Sequence, residues 1–172
     1  LSGGHMTDYD AFLKSKRKSP ILAGFETTEP INPKLFPFQR DIVRWALRRG
    51  RAAEFAGCGL GKTAVQLEWA RHVHGQTGGN VLILAPLMVG PQTVGEGRKF
   101  DVPVTMCRSQ ADVKPGVNIG NYEMLKHFDP SAFVGMVADE SSILKAFTGQ
   151  TKRALVNAFR STPYKLCCTA TP

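Results

Sequence analysis

The sequence predicts an α/β domain built on a mostly parallel central sheet with helices on both faces. From residue 50 onwards, short and continuous apolar runs alternate with amphipathic stretches. This is the pattern of strands that are buried on both faces and joined by crossover helices. A glycine-rich stretch follows the first apolar run and opens a helical segment. A chain of 172 residues suits a single domain that buries a substantial core.

The chain divides into three parts. Residues 1–5 precede Met6 and are interpreted as a cloning scar. Residues 6–34 are predicted to form an N-terminal arm, because prolines interrupt any long element there and a basic cluster lies within it. Residues 35–172 are predicted to form the folded domain.

Within that domain the elements follow from periodicity and from glycine and proline positions. The predicted helices are Pro37–Arg49, Lys62–His74, Met88–Phe100, Tyr122–His127 and Thr151–Phe159. The predicted strands are Ala52–Ala56, Val81–Ala85, Val104–Cys107, Val117–Gly120, Val134–Ala138 and Tyr164–Thr169.

The chain is basic. Lys and Arg total 22 against 14 Asp and Glu, which gives a formal net charge of +8, and no acid follows Glu140. Such a balance favours a polyanionic partner, although it also fits charge that only keeps a protein soluble.

Other features of the composition point to a reduced, intracellular protein. The four cysteines form no C-x-x-C pair, so we expect free thiols in the cytoplasm rather than a zinc site or disulfides. The longest apolar stretch, Val81–Val89, is too short to cross a bilayer, so no membrane partner is expected.

A candidate phosphate-binding loop, A-G-C-G-L-G-K-T, spans residues 56–63 between the first strand and the helix after it. Its glycines let backbone N–H groups surround a β-phosphate at the positive end of the helix. The lysine of such a loop reaches the β- and γ-phosphates, and the threonine hydroxyl binds Mg²⁺. An ordinary glycine-rich turn would not require Gly-Lys-Thr at the helix start. The predicted nucleotide-binding residues are Gly57, Gly59, Gly61, Lys62 and Thr63.

An acidic pair supplies the second half of the predicted site. Asp139 and Glu140 follow the apolar strand Val134–Ala138, and ligands of open α/β sheets bind at the carboxyl ends of strands. Asp139 is expected to hold Mg²⁺ through water, and Glu140 to orient and polarise the attacking water. Glu140 and Lys62 are therefore the predicted catalytic residues.

Together, these motifs resemble the first RecA-like lobe of superfamily-2 helicases and translocases, nearest the Swi/Snf branch. The loop has the family's A-x-x-G-x-G-K-T form, D-E-S-S at 139–142 occupies the place of its acidic box, and T-A-T-P at 169–172 resembles the motif that ends the lobe. The D-E-S-S form is similar to phage-encoded helicase-like proteins. The resemblance implies a RecA-like fold, with ATP and Mg²⁺ as cofactors.

The resemblance also implies roles for further residues. L-F-P-F-Q at 35–39 resembles the family's adenine-reading motif, in which Gln39 would accept from and donate to the adenine edge. Ser142 replaces the His or Asp that links the acidic box to the last motif. Residues implied to contact nucleic acid are Pro86, Asn121, Tyr122, Lys145, Lys152 and Arg153.

The function implied is the ATP-binding lobe of a DNA-dependent ATPase, a helicase or translocase, with duplex DNA favoured over single-stranded DNA. In the family, a second RecA-like lobe supplies the arginine finger and half of the ATP site. This chain is therefore expected to be a fragment of a longer protein and, alone, nearly inactive in hydrolysis. The alternatives are a non-motor P-loop enzyme such as a small kinase, or a nucleic-acid-binding module with a vestigial loop.

Overall fold

A six-stranded sheet forms the centre of the computed structural model, which describes residues 23–57, 59–141 and 149–170, with the side chains of 149–152 outside the described part. Its strands are β1 (Arg51–Phe55), β2 (Asn80–Ala85), β3 (Val104–Met106), β4 (Val117–Asn121), β5 (Phe133–Ala138) and β6 (Tyr164–Thr169). They run in the order β1-β6-β5-β2-β4-β3, and every pairing is parallel. The predicted α/β class with a mostly parallel sheet is confirmed.

Helices connect the strands. The described α-helices are α1 (Pro37–Arg49), α2 (Lys62–Thr77), α3 (Gly90–Lys99) and α4 (Gly149–Ala158). Short 3₁₀ helices at Gln110–Asp112, Tyr122–His127 and Pro130–Ala132 are found in the same described part of the chain. No described helix is both long and apolar enough to cross a membrane.

The apolar side chains of β2 show why the sheet is covered on both faces. Val81 and Ile83 belong to the hydrophobic cluster formed with α1 and α2, whereas Leu82 and Leu84 belong to the cluster on the opposite face. All four are fully buried. A strand whose alternate residues all meet a core is continuous in apolar residues, as the sequence is here.

The strand order brings three segments to one edge of the sheet. β6 lies between β1 and β5, so the loop after β1, the residues after β5 and the last residue of β6 share the carboxyl edge. This edge carries the candidate site.

The segment before α1 packs on the domain. Ile31 and Leu35 are buried in the same cluster as α1 and α2. The Phe25 amide donates to the Leu47 carbonyl at the end of α1, at 3.0 Å. A Cβ on Gly24 would lie 1.8 Å from that carbonyl oxygen, so the chain approaches the helix too closely for any other residue.

The observed elements differ from the predicted ones mainly at their ends. β1 begins and ends one residue before its predicted bounds, and α2 continues to Thr77, where Gly78 adopts the left-handed conformation that ends many helices. The predicted helix Tyr122–His127 is present with the same bounds and is a 3₁₀ helix. Its tight first turn is fixed by the Asn121 side chain, which accepts from the Met124 amide at 3.1 Å.

Candidate functional site

The candidate phosphate-binding loop, residues 56–63, leads directly into α2. Gly59 and Gly61 have φ angles of 82° and 74°, in the region that only glycine adopts readily, and α2 begins at Lys62. The Lys62 ammonium donates to the Ala56 carbonyl at 3.1 Å, so the lysine arches over the loop. The loop therefore presents a helix N-terminus and a cation at the same place, which is an arrangement suited to phosphate. Cys58 lies outside the described residues.

Gln39 ties α1 to this loop. Its side chain is buried, Oε1 accepts from the Phe36 amide at 2.9 Å, and Nε2 donates to the Leu60 carbonyl at 3.0 Å. A Cβ on Gly61 would lie 2.4 Å from Nε2. The Gln39 side chain, which is predicted to read adenine, thus lies against the candidate phosphate-binding loop. Its oxygen and its nitrogen are both hydrogen-bonded to backbone groups of the protein.

Asp139 lies at the end of β5, and the protein holds both its backbone and its side chain. Its amide donates to the Leu84 carbonyl at 2.8 Å, and its Oδ1 accepts from Gln66 Nε2 at 2.6 Å. Burial raises the pKa of the Asp139 carboxyl, while the hydrogen bond from Gln66 and the charge of Lys62 oppose that rise. A carboxylate and the hydroxyl of half-buried Thr63 at the start of α2 are hard oxygen donors, which suit Mg²⁺.

Glu140 follows in an unusual backbone conformation. Its φ is 48°, a region that residues other than glycine adopt rarely. Its Oε1 accepts from the hydroxyl of Thr169, the last residue of β6, at 3.1 Å. The T-A-T-P motif therefore contacts the acidic pair directly, at residue 169. Such strained positions cluster at functional sites.

Two site residues were missed by the sequence analysis. Gln66 is one turn after Lys62 on α2, and this i, i+4 spacing is a signal that places both side chains on one face. Glu54 is an acid inside the apolar strand β1 and is buried, with 6% of its surface exposed. Burial raises the pKa of Glu54, while the Lys62 charge opposes the rise and the Asp139 charge adds to it.

The predicted nucleic-acid residues separate into three groups. Pro86 and Asn121 line one cavity of about 200 Å³ at the carboxyl ends of β2 and β4. Tyr122 is buried, and its hydroxyl donates to the Asp139 carbonyl at 2.7 Å, so it lies beneath the acidic pair. Arg153 is exposed on α4. Lys145, Ser142 and the side chain of Lys152 lie outside the described part of the chain.

The fold is an α/β domain with an all-parallel sheet of RecA-like topology. Solved structures share this fold. The chain superposes on the UvsW helicase from bacteriophage T4 with a TM-score of 0.67 and 17% identity, covering 98% of this chain and 61% of that one. It also superposes on the Sulfolobus solfataricus SWI2/SNF2 ATPase core in complex with dsDNA. The TM-score is 0.69 and the identity 20%, over 86% of this chain and 35% of that one.

A third structure widens the comparison. The Pyrococcus furiosus Hef helicase domain matches with a TM-score of 0.65 and 20% identity, over 81% of this chain and 33% of that one. No family model and no curated protein matches the sequence. The RecA-like fold that the motifs implied is confirmed: the chain shares the fold of these helicase and ATPase structures, and it spans between one third and two thirds of their length.

Proposed function

We propose that this chain binds ATP with Mg²⁺ and serves as the ATP-binding lobe of a DNA-dependent ATPase, a helicase or a duplex translocase. One observation carries the proposal. The loop after β1, with Lys62 at the start of α2, and the acidic pair after β5 lie at the same edge of the sheet, since β1 and β5 both pair in parallel with β6. A phosphate-binding cation and two acids on one sheet edge are the elements that nucleotide hydrolysis requires.

Each side chain of the candidate site has its own proposed role. Lys62 turns from the Ala56 carbonyl to the β- and γ-phosphates, and Thr63 with Asp139 would hold the metal ion. Mg²⁺, when bound with the nucleotide, neutralises charge that develops on the phosphates. Glu140 orients the attacking water and accepts its proton, while the Thr169 hydroxyl fixes the carboxylate.

DNA is the proposed partner, because charge and similarity agree on it. The chain carries a net charge of +8, and the similar SWI2/SNF2 core was solved in complex with dsDNA. The cavity lined by Pro86 and Asn121 and the exposed Arg153 are the proposed contacts for the phosphate backbone. A second RecA-like lobe is the proposed partner for hydrolysis and movement on DNA.

The nucleotide proposal is tested by titrating Mg-ADP and Mg-ATP into the wild-type chain and into Lys62→Ala by calorimetry. We expect the variant to lose about 10- to 150-fold in affinity, because a charge-assisted contact contributes about 1.5–3 kcal/mol. Lys99→Ala is the matched control, since Lys99 lies on α3 and pairs with Glu96 at 3.8 Å. Equal affinities of wild type and Lys62→Ala would refute nucleotide binding by this loop.

The DNA proposal predicts a steep salt dependence. Binding of a duplex oligonucleotide should weaken with salt, at a log–log slope of about 0.9 per phosphate contacted. Arg153→Ala should reduce that slope by about 0.9 if its guanidinium neutralises one phosphate. Fluorescence anisotropy at several salt concentrations measures the slope, and an unchanged slope would remove Arg153 from the interface.

A further inference from the structure

Glu54 is a buried acid that the mechanism above does not use. It lies on β1 directly opposite Cys168 of β6 in the strand register. The Cys168 thiol is fully buried and donates to Glu54 Oε2 at 3.5 Å. Burial raises the pKa of this thiol well above its ordinary value, so it stays protonated and remains a donor. The hydrogen bond orients the Glu54 carboxyl toward β6.

The Glu54 carboxyl lies on the face of the sheet that α2 covers, because its partner Cys168 belongs to the hydrophobic cluster formed with α1 and α2. The Lys62 ammonium at the start of α2 donates to the carbonyl of Ala56, two residues after Glu54, at 3.1 Å. The charges of Lys62 and Asp139 both act on the Glu54 carboxyl. Lys62 attracts a negative charge at Glu54, whereas Asp139 repels it. The phosphates of a bound nucleotide would also be attracted to the Lys62 ammonium. Glu54 and the phosphates would therefore compete for the same cation.

Resting on the nucleotide binding proposed above, we infer that Glu54 is a positioning residue that competes with the nucleotide phosphates for Lys62 and thereby speeds release of the product. The carboxylate attracts Lys62 away from the phosphates, and it also repels the phosphates themselves. Both effects weaken nucleotide binding, so removing the charge should strengthen it. A residue that serves only to stabilise the fold would give the opposite result when substituted.

The experiment measures Mg-ADP binding at pH 8, which favours the ionised carboxylate. Glu54→Gln keeps the volume of the side chain and an acceptor for the Cys168 thiol but removes the charge. Glu54→Met removes both charge and polarity and serves as a second variant, since replacing a buried acid with an apolar residue of similar size often preserves stability. Glu96→Gln is the control for a general change in charge, because Glu96 lies on α3 against β3, at the opposite sheet edge from β1.

We expect Glu54→Gln to lower the dissociation constant of Mg-ADP about threefold to tenfold, with most of the change in a slower dissociation rate. Stopped-flow displacement of a fluorescent ADP measures that rate. Glu96→Gln should match the wild type. In a Lys62→Ala background the gain from Glu54→Gln should fall by half or more, because the competed cation is gone.

Each outcome decides the matter. The Glu54 variants are compared only if they melt cooperatively, which shows that they are folded. In such a variant, an unchanged or higher dissociation constant for Mg-ADP would overturn the inference and leave the nucleotide-binding proposal intact. A gain that is equally large without Lys62 would also overturn it, because the competition would then not involve the lysine. A wild-type chain that does not bind Mg-ADP would refute the proposed function itself and this inference with it.

Discussion

Two carboxylates on the same domain, the buried Glu68 and the half-buried Asp139, are held in opposite ways. Glu68 on α2 accepts from Arg71 Nη2 at 2.8 Å and from the Asn32 amide at 2.8 Å, and His72 Nε2 lies 3.0 Å from it. Burial alone would raise the pKa of Glu68, but the hydrogen bonds from His72 and Arg71 outweigh it and lower the pKa to about 2. At Asp139, burial wins and the pKa rises.

The difference separates a structural cluster from a site. Glu68 and Arg71 clamp the segment before α1, where Arg71 also pairs with Glu29 at 3.0 Å. That cluster compensates its acid fully, so the ionised form stabilises the fold. The acids at the phosphate loop are compensated less than their burial requires, which costs stability and leaves them suited to bind a cation. Perturbed carboxyls of this kind are typical of functional sites.

The largest expected effect follows from breaking the structural cluster. Glu68→Gln should lower the free energy of unfolding at pH 7 by about 3 kcal/mol, because the half-buried Arg71 guanidinium would lose the ionised and fully buried Glu68 as its partner. Glu123→Gln, an exposed acid on the 3₁₀ helix after β4, is the control and should change it by less than about 0.5 kcal/mol. Urea unfolding followed by circular dichroism measures both. A loss below about 1 kcal/mol would show that the cluster does not hold the segment.

The free energy of unfolding that Glu68→Gln loses should become smaller at low pH. A carboxyl whose folded pKa is about 2, below its ordinary 4.5, stabilises the fold above pH 4.5 and loses this contribution as the pH falls toward 2. The difference between wild type and Glu68→Gln should therefore be constant above about pH 5.5 and shrink below pH 4.5. A difference that does not shrink would assign the loss to packing rather than to charge.

The sequence predicted the strands and the helix that starts after the glycine-rich loop well, because both follow from local sequence. Apolar runs decide strands, and Gly-Lys-Thr at a helix start has few other uses. The polar network around the site was not predicted, since the contacts of Glu54 with Cys168 and of Gln66 with Asp139 join residues 114 and 73 positions apart. Sequence periodicity marks Glu54 only as an acid in an apolar strand, and the strand order that gives it a partner is a property of the whole sheet.

Asp139→Asn gives the contrasting result to Glu68→Gln. The amide keeps an acceptor for Gln66 and removes a half-buried charge, so the free energy of unfolding should stay within about 1 kcal/mol of the wild type or increase. Mg²⁺ should then no longer strengthen ADP binding, since the proposed metal ligand has lost its charge. Calorimetric titrations with Mg²⁺ and with EDTA measure this. Mg²⁺ dependence that survives the substitution would remove Asp139 from the proposed metal site.

The smallest expected effect concerns Gln39. Its side chain stabilises the loop, as the Glu68 cluster stabilises the segment before α1, and it is also the predicted reader of adenine in the candidate site. Gln39→Ala removes the bonds to the Phe36 amide and the Leu60 carbonyl and should cost about 1 kcal/mol of stability. If the amide also reads the base, ATP affinity should fall more than GTP affinity, and the preference for ATP should narrow. Titrations of both nucleotides into wild type and variant separate the two roles, because a loop-only role would weaken ATP and GTP equally. Gln39→Glu sharpens the test, since it keeps the acceptor for the Phe36 amide but loses the donor toward the Leu60 carbonyl and the adenine ring.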